Sequence, residues 1–91
     1  MLELESGVTA GKIDIRLYAS IKDLLGSERI EVDWTYNMTA GDLRKKVNEL
    51  YPVLSLVDSR FVVSINRRAA DERKLIQKND ELALLPPISG G

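Results

Sequence analysis

The chain has 91 residues, 44% of them hydrophobic, which is enough for one domain with a single core and too little for two. Thirteen Lys/Arg against fourteen Asp/Glu leave a net charge of −1, so no global field recommends nucleic acid or an anionic membrane as a partner. Cysteine and histidine are both absent, which excludes a disulfide frame, a thiolate nucleophile, a zinc–thiolate site, and the commonest general base and metal ligand.

Met1 to Gly11 show no sustained period, and Gly7 and Gly11 loosen them further. A flexible extension over residues 1–11 is expected. Its acidic start and lack of an apolar h-region do not fit a secretory signal, and no apolar run nears the roughly 20 residues that span a bilayer. A cytoplasmic location is therefore expected. From Lys12 the pattern reads as a strand, with Ile13, Ile15 and Leu17 alternating with Asp14, Arg16 and Tyr18. Ala19 to Leu25 has helical spacing, with Ile21, Leu24 and Leu25 on one face and Gly26 as a stop. Glu28 to Trp34 alternates again, with Ile30, Val32 and Trp34 facing inward.

Thr39 opens the main helix, and Asp42 completes a capping-box pair that also complements the helix dipole. Leu43, Val47 and Leu50 fall on one stripe that is expected to be buried, with Arg44, Lys45, Lys46 and Glu49 wet. Pro52 ends the helix near Tyr51, and Leu54, Leu56 and Val57 suggest a crossover packed on the core. Phe61 to Ile65 is strand-like and leads into a polar turn at Asn66-Arg67-Arg68. A short segment near Lys74-Leu75-Ile76, a turn at Asn79-Asp80 and a last strand from Glu81 to Leu85 complete the domain, residues 12–85. The order predicts an α+β fold with a mixed sheet of four to five strands and the long helix laid across one face.

Few side chains stand out as chemistry. No glycine-rich phosphate loop is present. Arg67-Arg68, with Arg73 and Lys74 close by, reads as a solvated turn or as a phosphate-binding or acidic-partner patch, and Arg44-Lys45-Lys46 as a wet helix face. Trp34 reads as a core-rim residue. Tyr18 and Leu85 are either rim packing or two apolar bodies of a docking patch beside the C-terminus.

The sharpest feature is the ending, Pro86-Pro87-Ile88-Ser89-Gly90-Gly91. With glycine at about 7% of residues, two terminal glycines arise by chance in roughly one chain in two hundred. Residues without Cβ can thread a channel too narrow for any other backbone. The prolines favour polyproline II and preset the exit direction, which reduces the entropy lost on threading. A frayed end and a tip built for insertion both fit glycine alone.

Four pieces together resemble the MoaD/ThiS family of ubiquitin-like, β-grasp sulfur carriers, and within it the molybdopterin branch. They are the opening Ile15-Arg16-Leu17-Tyr18-Ala19 strand with Leu24-Leu25-Gly26, the helix from Leu43 to Tyr51-Pro52, the acidic turn Asn79-Asp80-Glu81-Leu82, and the Pro-Pro-x-x-Gly-Gly ending. Leu84 and Leu85 stand where the family often has aromatics before the two prolines.

The resemblance implies a β-grasp fold and a carrier that is no enzyme on its own. It implies that Gly91 is adenylated by an ATP-dependent, ubiquitin-activating-like enzyme and converted by a sulfur donor to a thiocarboxylate. The tail, Pro86, Pro87, Ile88, Ser89 and Gly90, then enters the large subunit of molybdopterin synthase, in a heterotetramer. There the carrier delivers sulfur to cyclic pyranopterin monophosphate, building the dithiolene of the molybdenum cofactor. Tyr18, Leu85 and Lys22 are the expected partner contacts, with no bound cofactor and no metal. A thiamine-pathway sulfur carrier, a lysine-conjugating ubiquitin-like modifier and a β-grasp interaction module without sulfur chemistry remain alternatives.

Overall fold

The computed structural model describes residues 9–54 and 61–87. In chain order it holds β1 (Thr9–Leu17), α1 (Ala19–Leu25), β2 (Arg29–Thr35), α2 (Ala40–Leu50), β3 (Val62–Ile65), β4 (Arg68–Ala69) and β5 (Leu82–Leu85). The sheet order is β2-β1-β5-β3-β4. β1 runs antiparallel to β2 and parallel to β5, and β3 runs antiparallel to β5 and β4. The expected α+β class, a mixed sheet with a helix on one face, is the one observed.

Alternation sorts the sheet into two faces. Ile13, Ile15 and Leu17 of β1, Ile30 and Val32 of β2, and Leu82 and Leu84 of β5 are buried in one cluster with Ala40, Leu43 and Val47 of α2. Each Ile, Leu or Val among them contributes about 1.5–3 kcal/mol on full burial. Trp34 packs at the rim, and its indole N–H donates to the Ile76 carbonyl at 2.9 Å.

Local chemistry fixes both helices. Gly26 ends α1 at φ 68°, where a residue with a Cβ would be strained. At α2 the Thr39 N–H donates to the Asp42 carboxylate at 3.0 Å, and the Asp42 N–H donates to the Thr39 hydroxyl at 3.1 Å. This is the capping box read in the sequence. The next two free N–H groups, of Ala40 and Gly41, donate to the carbonyls of Lys74 and Glu72 at 2.8 and 2.9 Å. Glycine suits that approach, because a Cβ at Gly41 would lie 3.1 Å from the Glu72 carbonyl oxygen and the loop would have to give by a few tenths of an ångström.

Five expectations change. β1 begins at Thr9, because Thr9 pairs with Thr35 across a register shift that the Ala10-Gly11 sequence gives no alternation to reveal. Residues 1–8 lie outside the described residues. Leu50 is 54% exposed, not buried: the chain turns at Tyr51, and Leu54 fills that end of the core in its place. Arg44 does not belong to the wet face (see below). The short strand after β3 is Arg68–Ala69, while Lys74–Ile76 contributes a single bridge, Leu75 to Thr39. The turn shrinks to Asn66 and Arg67, both at positive φ, and Arg68 enters β4. Leu56 and Val57 lie outside the described residues.

Candidate functional site

The parallel pairing of β1 with β5, Ile15 to Leu82, Arg16 to Ala83 and Leu17 to Leu84, carries both strands to the same end of the sheet. Tyr18 and Leu85 are the next residues along, both in the outward phase. They meet across a hollow of about 470 Å³ on the face opposite α2, whose floor includes Ser64 and Ala83 and whose sides include Arg16 and Arg67. Tyr18 is 42% exposed, and Leu85 is half-buried. The structure therefore brings these two expected partner contacts together. Leu84, by contrast, is fully buried, so of the two leucines standing before the prolines only Leu85 reaches this surface.

Lys22 does not join them. It is exposed on α1 and lines a separate hollow with Asp23, Gly26, Ser27 and Glu28.

At the same end the chain leaves the sheet. Val62 to Leu85 is the last described pair between β3 and β5. Neither Pro86 nor Pro87 has an N–H, so the ladder cannot continue and the exit direction falls to side-chain packing. Both prolines line an apolar pocket with Ile21 and Leu24 of α1, Leu54, and Phe61.

Phe61 is itself held from the far side. Arg44 Nη1 donates to the Phe61 carbonyl, and the guanidinium lies 4.8 Å from the centroid of the Phe61 ring. Its Nε donates to the Glu72 carboxylate at 2.8 Å, which ties this brace to the loop that also accepts the first N–H groups of α2. Arg44, Phe61 and Leu54 thus position the base of the tail. The sequence offered no sign of Arg44's part, since its partners lie 17 and 28 residues away.

Ile88, Ser89, Gly90 and Gly91 lie outside the described residues. Titration is perturbed at the other end of β1 and β2. There the Lys12 ammonium, donating to Asp33 at 2.7 Å, holds that carboxyl below the usual range, and Asp33 raises Lys12 in turn. Among the described residues no group of acidic side chains is placed to hold a metal ion, and no helix is long and apolar enough to cross a membrane.

The pattern of one family, ThiS, matches residues 15–91. The chain belongs to the ThiS family. The match takes in the β-grasp sheet from Ile15 onward, the hollow, the proline exit and both terminal glycines, so the ThiS assignment includes the whole candidate site.

Among relatives, the Molybdopterin synthase sulfur carrier subunit of Arabidopsis thaliana is 34% identical, covering 98% of this chain and 94% of its own length. Among solved structures, SAMP1 of Haloferax volcanii is 32% identical with a TM-score of 0.72, covering 89% of this chain and all of that one. A chain from the complex of subunits 1 and 2 of the molybdopterin-converting factor of Helicobacter pylori has a TM-score of 0.62 at 21% identity, covering 88% and 99%, and so shares the fold.

Proposed function

We propose that this ThiS-family chain is the sulfur carrier subunit of molybdopterin synthase. The observation that carries the reading is the near end-to-end likeness to the Arabidopsis sulfur carrier subunit, at 34% identity. The Helicobacter complex of subunits 1 and 2 supports a second subunit as partner, here the large subunit. Catalytic residues then belong to that partner, and this chain supplies the sulfur.

The chemistry centres on the Gly91 carboxylate. A carboxylate is resonance-stabilised and would have to expel oxide, so it needs activation. Its oxygen attacks the α-phosphorus of ATP on a ubiquitin-activating-like enzyme, releasing pyrophosphate and leaving an acyl-adenylate. Hydrosulfide released by a sulfur donor attacks the acyl carbon, the C–O bond to AMP breaks, AMP departs, and a thiocarboxylate remains. The absence of cysteine suits this sequence of steps, because no internal thiol competes for the activated carbonyl. In the large subunit the thiocarboxylate sulfur attacks a carbon of cyclic pyranopterin monophosphate as a C–O bond at that carbon breaks. Hydrolysis of the resulting thioester leaves the sulfur on the pterin and returns Gly91 to its carboxylate, and a second charged carrier supplies the second sulfur. The carrier works in the cytoplasm and keeps no resident cofactor.

Mass spectrometry of the chain purified from its own host tests the reading. The expected result is one oxygen replaced by sulfur at Gly91, with sulfur delivery lost when Gly90 and Gly91 are deleted. A chain that carries only carboxylate and appears instead joined to lysine side chains would refute it. The likeness to SAMP1, a small archaeal modifier protein, makes such lysine conjugation the second reading.

A further inference from the structure

The turn joining β3 and β4 has a folding reason for Asn66 and none for Arg67. Both residues are left-handed, at φ 54° and 70°, as in a type I′ turn, where Asn-Gly is the favoured pair. Asn66 suits its place. Its side-chain carbonyl accepts the Glu81 N–H at 2.9 Å, and its amide donates to Asp80 at 3.0 Å. Arg67 stands where glycine would fit without strain. Its side chain is 84% exposed, and its one ion pair among the described residues is with Glu81, 3.5 Å away and itself 62% exposed. Such a pair adds little to stability. Backbone strain without a structural return is a mark of a functional position.

Arg67 reaches over the hollow that holds Tyr18 and Leu85. Arg16 lines the same hollow, and its side chain makes no hydrogen bond or ion pair among the described residues. The patch therefore combines the apolar bodies of Tyr18, Ala83 and Leu85 with the Ser64 hydroxyl, two guanidiniums, and Glu81 as its one lining carboxylate.

We infer that Arg67, with Arg16, is a specificity-determining contact of the docking face and takes carboxylates from an acidic segment of the large subunit, whose apolar residue seats against Tyr18 and Leu85. The inference rests on the function proposed above. Glu81 holds Arg67 loosely in the free carrier, and docking exchanges that carboxylate for the partner's. Charges so placed govern selectivity and association rate.

The test titrates the full-length chain into the purified large subunit by calorimetry, at low and at physiological salt. Arg67→Gly removes both charge and strain. It should melt no lower than the parent, bind at least tenfold more weakly, and show a shallower salt dependence. Arg67→Glu should bind more weakly still, whereas Arg67→Lys, equally strained and still cationic, should keep most of the affinity. Parent-like affinity and salt dependence in Arg67→Gly overturn the inference and leave the carrier reading standing. So does a lower melting temperature for Arg67→Gly, which would give Arg67 a folding role. A parent chain that does not bind the large subunit at all overturns both.

Discussion

Arg44→Met removes the brace behind the tail while keeping an unbranched stem of similar length. Three interactions are lost. A bond from a charged donor to a carbonyl is worth about 1.5–3 kcal/mol, and the Phe61 carbonyl is left without this partner. The cation over the Phe61 ring adds about 0.5–2 kcal/mol. The Glu72 pair, on a carboxylate 60% exposed, adds about 0.2–1 kcal/mol. One guanidinium serves all three, so the losses overlap, and methionine regains some packing on the ring. A net cost of about 3 kcal/mol follows. For a domain of this size that lowers Tm by roughly 10–20 °C. Circular dichroism melts of Arg44→Met beside Lys45→Met, an exposed neighbour expected within about 0.5 kcal/mol of the parent, measure it directly. If Arg44→Met melted within about 3 °C of the parent, the brace would be ornamental and the tail's base would be held by apolar packing alone.

Leu85→Asp should leave Tm nearly unchanged and weaken calorimetric binding to the large subunit by several kcal/mol, because it places an unpaired charge in an apolar contact; normal binding with easier unfolding would make Leu85 a packing residue instead. Gly90→Ala should fold as the parent does and slow adenylation on the order of a hundredfold by displacing the terminal carboxylate, and equal single-turnover rates would show a roomy channel. The Lys12–Asp33 pair stabilises the fold fully above the ordinary carboxyl pKa and loses that share as pH falls through the depressed one, while the raised Lys12 loses its share only on strong alkalinisation. The urea midpoint of Asp33→Asn should accordingly fall less on acidification than the parent's, and parallel pH profiles would show that the pair contributes nothing.

The parts of the fold that were legible are those written in local spacing. Alternation from Ile13 to Leu17 and at Ile30 and Val32 marked buried strands, and the Thr39–Asp42 box marked the start of α2 to the residue. Gly26 marked the end of α1 in the same way. What spacing could not show is set by tertiary cover. Leu50 shares a helical stripe with Leu43 and Val47, yet Leu54 closes the core after the turn at Tyr51, and no local pattern ranks those two leucines. Arg44 looked like its neighbours Lys45 and Lys46, since a basic residue on a helix carries no mark of a carbonyl waiting in another element. At the site, Tyr18 and Leu85 could be named from strand phase and nearness to the tail. Their meeting across one hollow depends on the parallel β1–β5 register, a long-range pairing the sequence does not print.

On the function proposed above, that register places docking and delivery at one end of the molecule. Parallel pairing makes β1 and β5 finish side by side, so the last outward residue of β5 lies beside Tyr18 and the next residue begins the tail. A partner that grips Tyr18 and Leu85 therefore holds the tail by its root. From Pro86 the remaining six residues reach at most about 20 Å when extended. The prolines spend part of that length on direction, since they cannot extend the ladder and pack instead against Phe61, Leu54 and α1. In the docking proposed above, seating the globular part fixes where the chain leaves Pro87, so the ordering cost of insertion falls on the four residues after it. An antiparallel β1–β5 pair would have put the tail at the opposite end from Tyr18, and the same six residues would then have had to cross the length of the sheet before reaching the partner's reacting centre.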